Sequence, residues 1–244
     1  MSSSKFQLLT RPEVWRALAL WPKFSLSSYR MVSSLKQQGL VPGTVIDVGA
    51  NVGQFAVACA KMFPGVPVHS FEPLPECVSQ LKKHAAKLHA IRVYPVALGA
   101  RSGTVSIHVN SHRHSSSILP LAERHREAFP AAREIGTVDI PMSTLDEQIG
   151  SSILKGPVLL KLDVQGFEPQ VLEGAPVTLP KIDYVLLESS FRPLYEGEQT
   201  FVEITRMMAA RGFQFSHPLG WLEDPRNDEI LQIDALFVRS RGNA

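Results

Sequence analysis

Residues 45–55 read Val45-Ile46-Asp47-Val48-Gly49-Ala50-Asn51-Val52-Gly53-Gln54-Phe55, and this stretch decides the fold. A short β-branched run ends at Asp47, two glycines stand four apart, and Phe55, Cys59 and Phe63 recur at helical spacing. The pattern predicts strand, glycine turn, helix. Glycine at 49 and 53 permits positive φ and a close approach of ligand to main chain, while the new helix aims unpaired N–H groups at it. Nucleotide-like ligands use such turns.

The spacing narrows the ligand. A dinucleotide fingerprint needs G-x-G-x-x-G, whereas this chain has G-x-x-x-G, which counts against NAD. Asp47, just before the first glycine, would repel a pyrophosphate and suits an ammonium or sulfonium. S-adenosylmethionine fits those charges. The second half of the signature is Val68-His69-Ser70-Phe71-Glu72-Pro73, a predicted strand that ends in a carboxylate beside the turn. An acid there accepts hydrogen bonds from both ribose hydroxyls in Rossmann-like sites, so Glu72 is the ribose candidate.

A chain of 244 residues holds one large α/β domain with a substantial core, or one domain with an appendage. A net charge of +2 gives no basic surface for nucleic acid. Cys59 and Cys77 form no C-x-x-C pair and no disulfide framework, which points to a reducing cytoplasm. The N-terminus lacks a charged region followed by a long apolar core, and no run approaches the roughly 18 apolar residues of a membrane span. The chain is expected to be neither secreted nor integral.

Outward from the glycine turn, residues 1–40 form an N-terminal helical extension and residues 41–244 the main domain, with Gly39, Pro42 and Gly43 marking the boundary. The extension carries one apolar patch through Trp15, Leu18, Leu20 and Trp21, flanked by Arg11, Arg16 and Lys23, and another through Tyr29, Met31, Val32 and Leu35. It reads either as a membrane or partner contact or as a helical cover over the domain. After Glu72, Val78, Leu81, Ala85 and Leu88 define an amphipathic helix. Ile91 to Tyr94 is a third strand, and Ala97 and Leu98, in the run Val96 to Gly99, are small enough to wall an adenine ring. The β-α-β-α-β order implies a parallel sheet with right-handed crossovers.

Gly103 to Val109 and Gly136 to Met142 read as strands of an inserted hairpin, joined by a long polar connection through Ala132. It holds His112 and His114. Without a nearby cysteine or carboxylate, an H-x-H pair is a weak metal signal, and no metal is expected. His114 stands instead as a candidate for proton transfer.

Val158 to Asp163 is apolar apart from Lys161, as expected of a central strand buried on both faces, and delivers Asp163 at its carboxyl end. Ile182 to Glu188 repeats the theme. Asp47, Glu72, Asp163 and Glu188 thus each close a predicted strand, and in open α/β sheets ligands bind at that edge. Thr200 to Glu203 is a capping box opening a helix. Phe213 to Ser216 and Ile230 to Val238 read as a terminal antiparallel pair, with Trp221 and Leu222 in a polar loop between them.

From about residue 36 onward the sequence resembles the FkbM-type family of S-adenosylmethionine-dependent methyltransferases. The residues that carry the likeness are Val45 to Gly53, Phe71-Glu72-Pro73, Ser116-Ser117-Ile118-Leu119, Ser143-Thr144-Leu145-Asp146, Leu160 to Glu168, Leu187-Glu188 and Asp234-Ala235-Leu236-Phe237-Val238. The resemblance implies the class I fold, a Rossmann-like seven-stranded, mostly parallel sheet with helices on both faces. It also implies transfer to a hydroxyl oxygen of a small molecule, sugar or glycan. Gly49, Ala50, Asn51 and Gly53 would then pass close to the methionine part of the cofactor. Asp47 and Asp163 would hold its ammonium directly or through water, Phe71 and Glu72 the ribose, and Ala97 and Leu98 the adenine. Asp163, Glu188 and His114 are the candidate bases. The alternative is a cofactor-fold module that binds partners and has lost catalysis, which would predict a broken turn where this one is intact. No motif specifies the acceptor or an oligomeric state.

Overall fold

The computed structural model describes residues 14–15, 25–110, 116–150 and 153–240. The predicted patch through Leu18, Leu20 and Trp21 lies outside these residues, as do its flanking cations and both His112 and His114. The chain enters on α1 (Leu26–Gln37) and alternates β1 (Thr44–Val48), α2 (Gln54–Met62), β2 (Val68–Phe71), α3 (Pro75–Ala85) and β3 (Ile91–Tyr94). An inserted unit follows, made of β4 (Ala97–Leu98), β5 (Gly103–Asn110), α4 (Glu123–Ala128) and β6 (Glu134–Ser143). The main sheet resumes past α5 (Leu145–Gln148) with β7 (Val158–Leu162), α6 (Glu168–Glu173) and β8 (Tyr184–Ser190). It closes with α7 (Phe201–Ala210), β9 (Phe213–Glu223) and β10 (Ile230–Arg239).

Seven strands form the main sheet in the order β3-β2-β1-β7-β8-β10-β9. The first five are parallel, and only β10 runs against its neighbours. Strand order reverses between β1 and β7, the switch point at which open α/β sheets leave a crevice. β1 and β7 are buried at every position, as strands covered on both faces must be. Side chains alternate between two cores. Val45, Leu159, Leu186 and Leu236 pack with Met31, Val32 and Leu35 of α1 and Phe55 of α2. Ile46, Leu160, Val185 and Phe237 pack on the opposite face with Val171 of α6 and Ile204 of α7.

Local chemistry ends the helices where the sequence predicts. Thr200 N–H donates to Glu203 Oε2 at 2.8 Å, closing the capping box of α7, and α6 stops at Gly174. The predicted inserted hairpin is present as β5 and β6, paired antiparallel, and the structure adds three features. Ala97 and Leu98 pair in parallel with Met142 and Ser143, which makes the insert a three-stranded sheet, β4-β6-β5; two residues are too few to show a strand period. The polar connection holds α4, a helix of six residues and so too short for a periodic signal. Trp221 and Leu222 lie within β9, whose pairing with β10 shifts register three times and so breaks the alternation that marks a strand. Among the described residues, no helix is long and apolar enough to cross a membrane.

Candidate active site

At the switch point the glycine turn is pressed between two strands. Gly49 and Ala50 N–H groups both donate to the Phe71 carbonyl, at 3.0 and 2.9 Å, fastening the turn to the end of β2. Gly49 has φ +78°, and a Cβ there would lie 1.8 Å from the Asp163 carbonyl oxygen. No other residue fits. Gly53, at φ +93°, opens α2, and Asn51 between them also takes positive φ.

Glu72 sits beside this turn, 5% exposed. Its Oε2 accepts from Asn51 N–H at 2.8 Å and its Oε1 from Leu74 N–H at 2.9 Å. Burial raises its pKa to about 7 against the pull of those two bonds. Each oxygen keeps a further acceptor position, the requirement for gripping a vicinal diol. Phe71 stacks on Tyr94 at 4.5 Å between ring centres, which stiffens the wall on that side.

The charged centre lies on β1 and β7. Asp47 and Lys161 are register partners on the face that meets α2, 3.7 Å apart as an ion pair. Lys161 Nζ also donates to Asp163 Oδ2 at 2.9 Å. Burial disfavours the Lys161 charge, but Asp163 and Asp47 outweigh it and lift the ammonium well above its ordinary pKa. Burial likewise opposes the Asp163 charge; Lys161, with hydrogen bonds from Glu188 and Gln165, overrides it and keeps that carboxyl low. Asp47, fully buried, is raised to about 6 by desolvation, with Lys161 opposing.

Gln165 ties the next strand in. Its Nε2 donates to Asp163 Oδ1 at 2.8 Å and to Glu188 Oε2 at 2.6 Å, and its Oε1 accepts from the Tyr195 hydroxyl. Burial, then the charges of Asp163 and Asp234, drives the Glu188 carboxyl well above its ordinary pKa. The Gln165 carbonyl accepts from Ser117 Oγ at 2.8 Å, which pins the insert to the rim. Glu198 braces Tyr195 by accepting from the backbone N–H groups of Leu194 and Tyr195 at 2.6 and 3.1 Å.

These groups enclose one cavity of about 820 Å³. Gly49, Ala50, Asn51, Phe71, Glu72, Ala97, Leu98, Asp163 and Glu188 line it, so most of the predicted site residues come together. Asp47 and Gly53 stand behind its wall. For Asp47 this corrects the expected contact at the rim: β1 runs one residue further, to Val48, so the Asp47 side chain stays under the α2 layer and faces Lys161. His114 lies outside the described residues. Sequence reading assigned no role to Lys161, Gln165, Tyr195 or Asp234, all of which line the cavity. The available signal was a lone charge in an apolar strand, Lys161 in β7 and Asp234 in β10.

A glycine turn at the switch point of a seven-stranded sheet in this order, with a buried acid beside it, is the architecture of the class I methyltransferase fold. Residues 47–215 match the methyltransferase FkbM domain, and the chain belongs to that family. It is 27% identical over 184 residues to the 2-O-methyltransferase NoeI of Sinorhizobium fredii, spanning 72% of this chain and 74% of that one. To the hexuronic acid methyltransferase AglP of Haloferax volcanii it is 24% identical over 188 residues, 76% of this chain and 70% of the other. Among solved structures, a candidate RNA methyltransferase from Pyrococcus horikoshii superimposes with a TM-score of 0.53 at 15% identity, covering all of both chains, a likeness of fold alone.

Proposed function

We propose that this chain moves a methyl group from S-adenosylmethionine to a hydroxyl oxygen of a small molecule, sugar or glycan. One observation carries the reading: the glycine turn and Glu72 share a single cavity with the carboxyls of Asp163, Glu188 and Asp234. When bound, S-adenosylmethionine brings an electrophilic methyl on a sulfonium. Glu72 would hold the ribose through the lone pairs its backbone bonds leave free. Val96, Ala97 and Leu98 would flank adenine. Asp163, kept ionised by Lys161, would take the ammonium, and Asp47 would act on that contact only through Lys161.

The rest of the cavity orients the acceptor. Phe129, Tyr195 and Trp221 offer flat apolar faces, and the nearby carboxyls accept hydroxyl protons. Asp163 and Asp234 in the wall disfavour polyanions, which argues against a nucleic-acid acceptor. The sugar reading draws on the 2-O-methyltransferase and hexuronic acid methyltransferase among the relatives. Cys59 and Cys77, both buried and free, suit a reducing cytoplasm.

The test is calorimetric titration with S-adenosylmethionine and, separately, NAD. Stoichiometric binding of the first alone, weakened tenfold or more by Glu72→Ala, is the expected result. Folded protein that binds neither overturns the proposal.

A further inference from the structure

Strand register sets several groups in one row. Val48 pairs with Leu162 and Leu162 with Leu187, so one step on Gly49, Asp163 and Glu188 come level across three strands. Glu188 pairs with Asp234 on β10, and Asp234 with Gly220 on β9. With strands about 4.8 Å apart, Asp234 stands roughly 10 Å beyond Asp163, away from the glycine turn. Gly49 and Glu72 line the cavity from the ends of β1 and β2, and Asp234 lines it from β10.

The three carboxyls in the row differ in what already holds them. Asp163 is engaged by Lys161 and Gln165. Glu188 is engaged by Gln165. Asp234 is engaged by neither. Among the described residues no hydrogen bond or ion pair reaches its carboxylate, which is partly open to the cavity. Burial and the Asp163 charge raise its pKa to about 6, with Lys161 opposing. A desolvated carboxylate without a partner is costly unless a ligand completes it.

Gly220 shows that this position is built. A Cβ there would lie 2.2 Å from Asp234 Oδ2. Gly220 is not among the positive-φ residues, so its backbone does not require glycine; a side chain there would push the Asp234 carboxylate out of this position.

Building on the methyltransferase reading above, we propose that Asp234 is the base that takes the acceptor's hydroxyl proton, facing the point where the methyl is transferred. The acceptor oxygen forms its bond to the methyl carbon, the carbon–sulfur bond breaks with its electron pair going to sulfur, and the hydroxyl proton passes to the Asp234 carboxylate. The products are the methyl ether, S-adenosylhomocysteine and a neutral Asp234, which returns its proton to solvent.

The test needs no acceptor. Sinefungin carries an ammonium where S-adenosylmethionine carries its methyl, and S-adenosylhomocysteine carries nothing there. The full chain is titrated with both. The expected result is sinefungin tighter than S-adenosylhomocysteine by about tenfold or more, from the attraction of its ammonium to the Asp234 carboxylate across the space of the acceptor oxygen. Asp234→Asn should bring that ratio to within about twofold while S-adenosylhomocysteine affinity holds. Gly220→Ala keeps the charge and displaces it, and should lose the preference too; it decides the matter if Asp234→Asn does not fold. A wild-type chain without the preference, or variants that retain it, overturns the assignment of Asp234. Failure of S-adenosylhomocysteine to bind the wild type overturns the methyltransferase reading instead.

Discussion

Asp47 and Lys161 are neighbours across the β1–β7 pair, and the Lys161 ammonium, 3.7 Å from Asp47 and 2.9 Å from Asp163, sits between the two carboxylates. It also lies 5.4 Å from the centre of the Phe55 ring. Lys161 therefore joins the strand beneath the cavity to the acid that lines it.

Lys161→Met should destabilise the chain by about 3–5 kcal/mol, because it leaves two buried carboxylates without their cation. Denaturant unfolding measures this. Adding Asp47→Asn should recover part of the loss. A single variant within about 1 kcal/mol of wild type would show that the cation is not structural.

The two glycines of the turn should differ in sensitivity. Gly49→Ala sets a methyl against the rigid Asp163 carbonyl in addition to its φ strain, so about 2–4 kcal/mol and the loss of cofactor binding are expected. Gly53→Ala meets Leu81 Cδ1 at 2.5 Å, the tip of a side chain that can move, and should cost only about 1–2 kcal/mol. Thermal unfolding and S-adenosylmethionine titration of both variants check the order; equal effects would count against the close approach at Gly49.

Glu72 gives the uncofactored chain a pH slope. Its pKa rises from 4.5 to about 7 on folding, by burial first, opposed by the Leu74 and Asn51 N–H bonds and aided by the charges of Asp47 and Asp163. The folded state holds the proton more tightly than the unfolded one. Its contribution, about 3 kcal/mol, is fully present below the unfolded pKa and is lost as pH rises through the folded one. Glu72→Gln should flatten that part of the fall in stability between about pH 5 and about pH 8. Parallel slopes for the two proteins would mean that Glu72 ionises normally.

Val45 to Phe55 was legible because its demands are local: β-branched residues for a strand, glycine where φ is positive, helical spacing after the turn. The buried strands ending near Glu72, Asp163 and Glu188 were legible for the same reason. The short strand at Ala97–Leu98 and the extension of β9 through Trp221 were not, because two residues carry no period and a bulged strand breaks its own.

By itself, then, the sequence determined the strand–turn–helix frame, the parallel sheet and the edge at which its acids gather. Only the tertiary structure decided what each acid does. Asp47 and Asp163 look alike as strand-end carboxylates, yet one is sealed under α2 and the other lines the cavity. Asp234 is one acid in an apolar strand until register sets it level with Asp163 and opposite Gly220. Backbone propensity acts over a few neighbouring residues. Charge, proton affinity and access to a ligand depend on partners that meet only when distant strands pair.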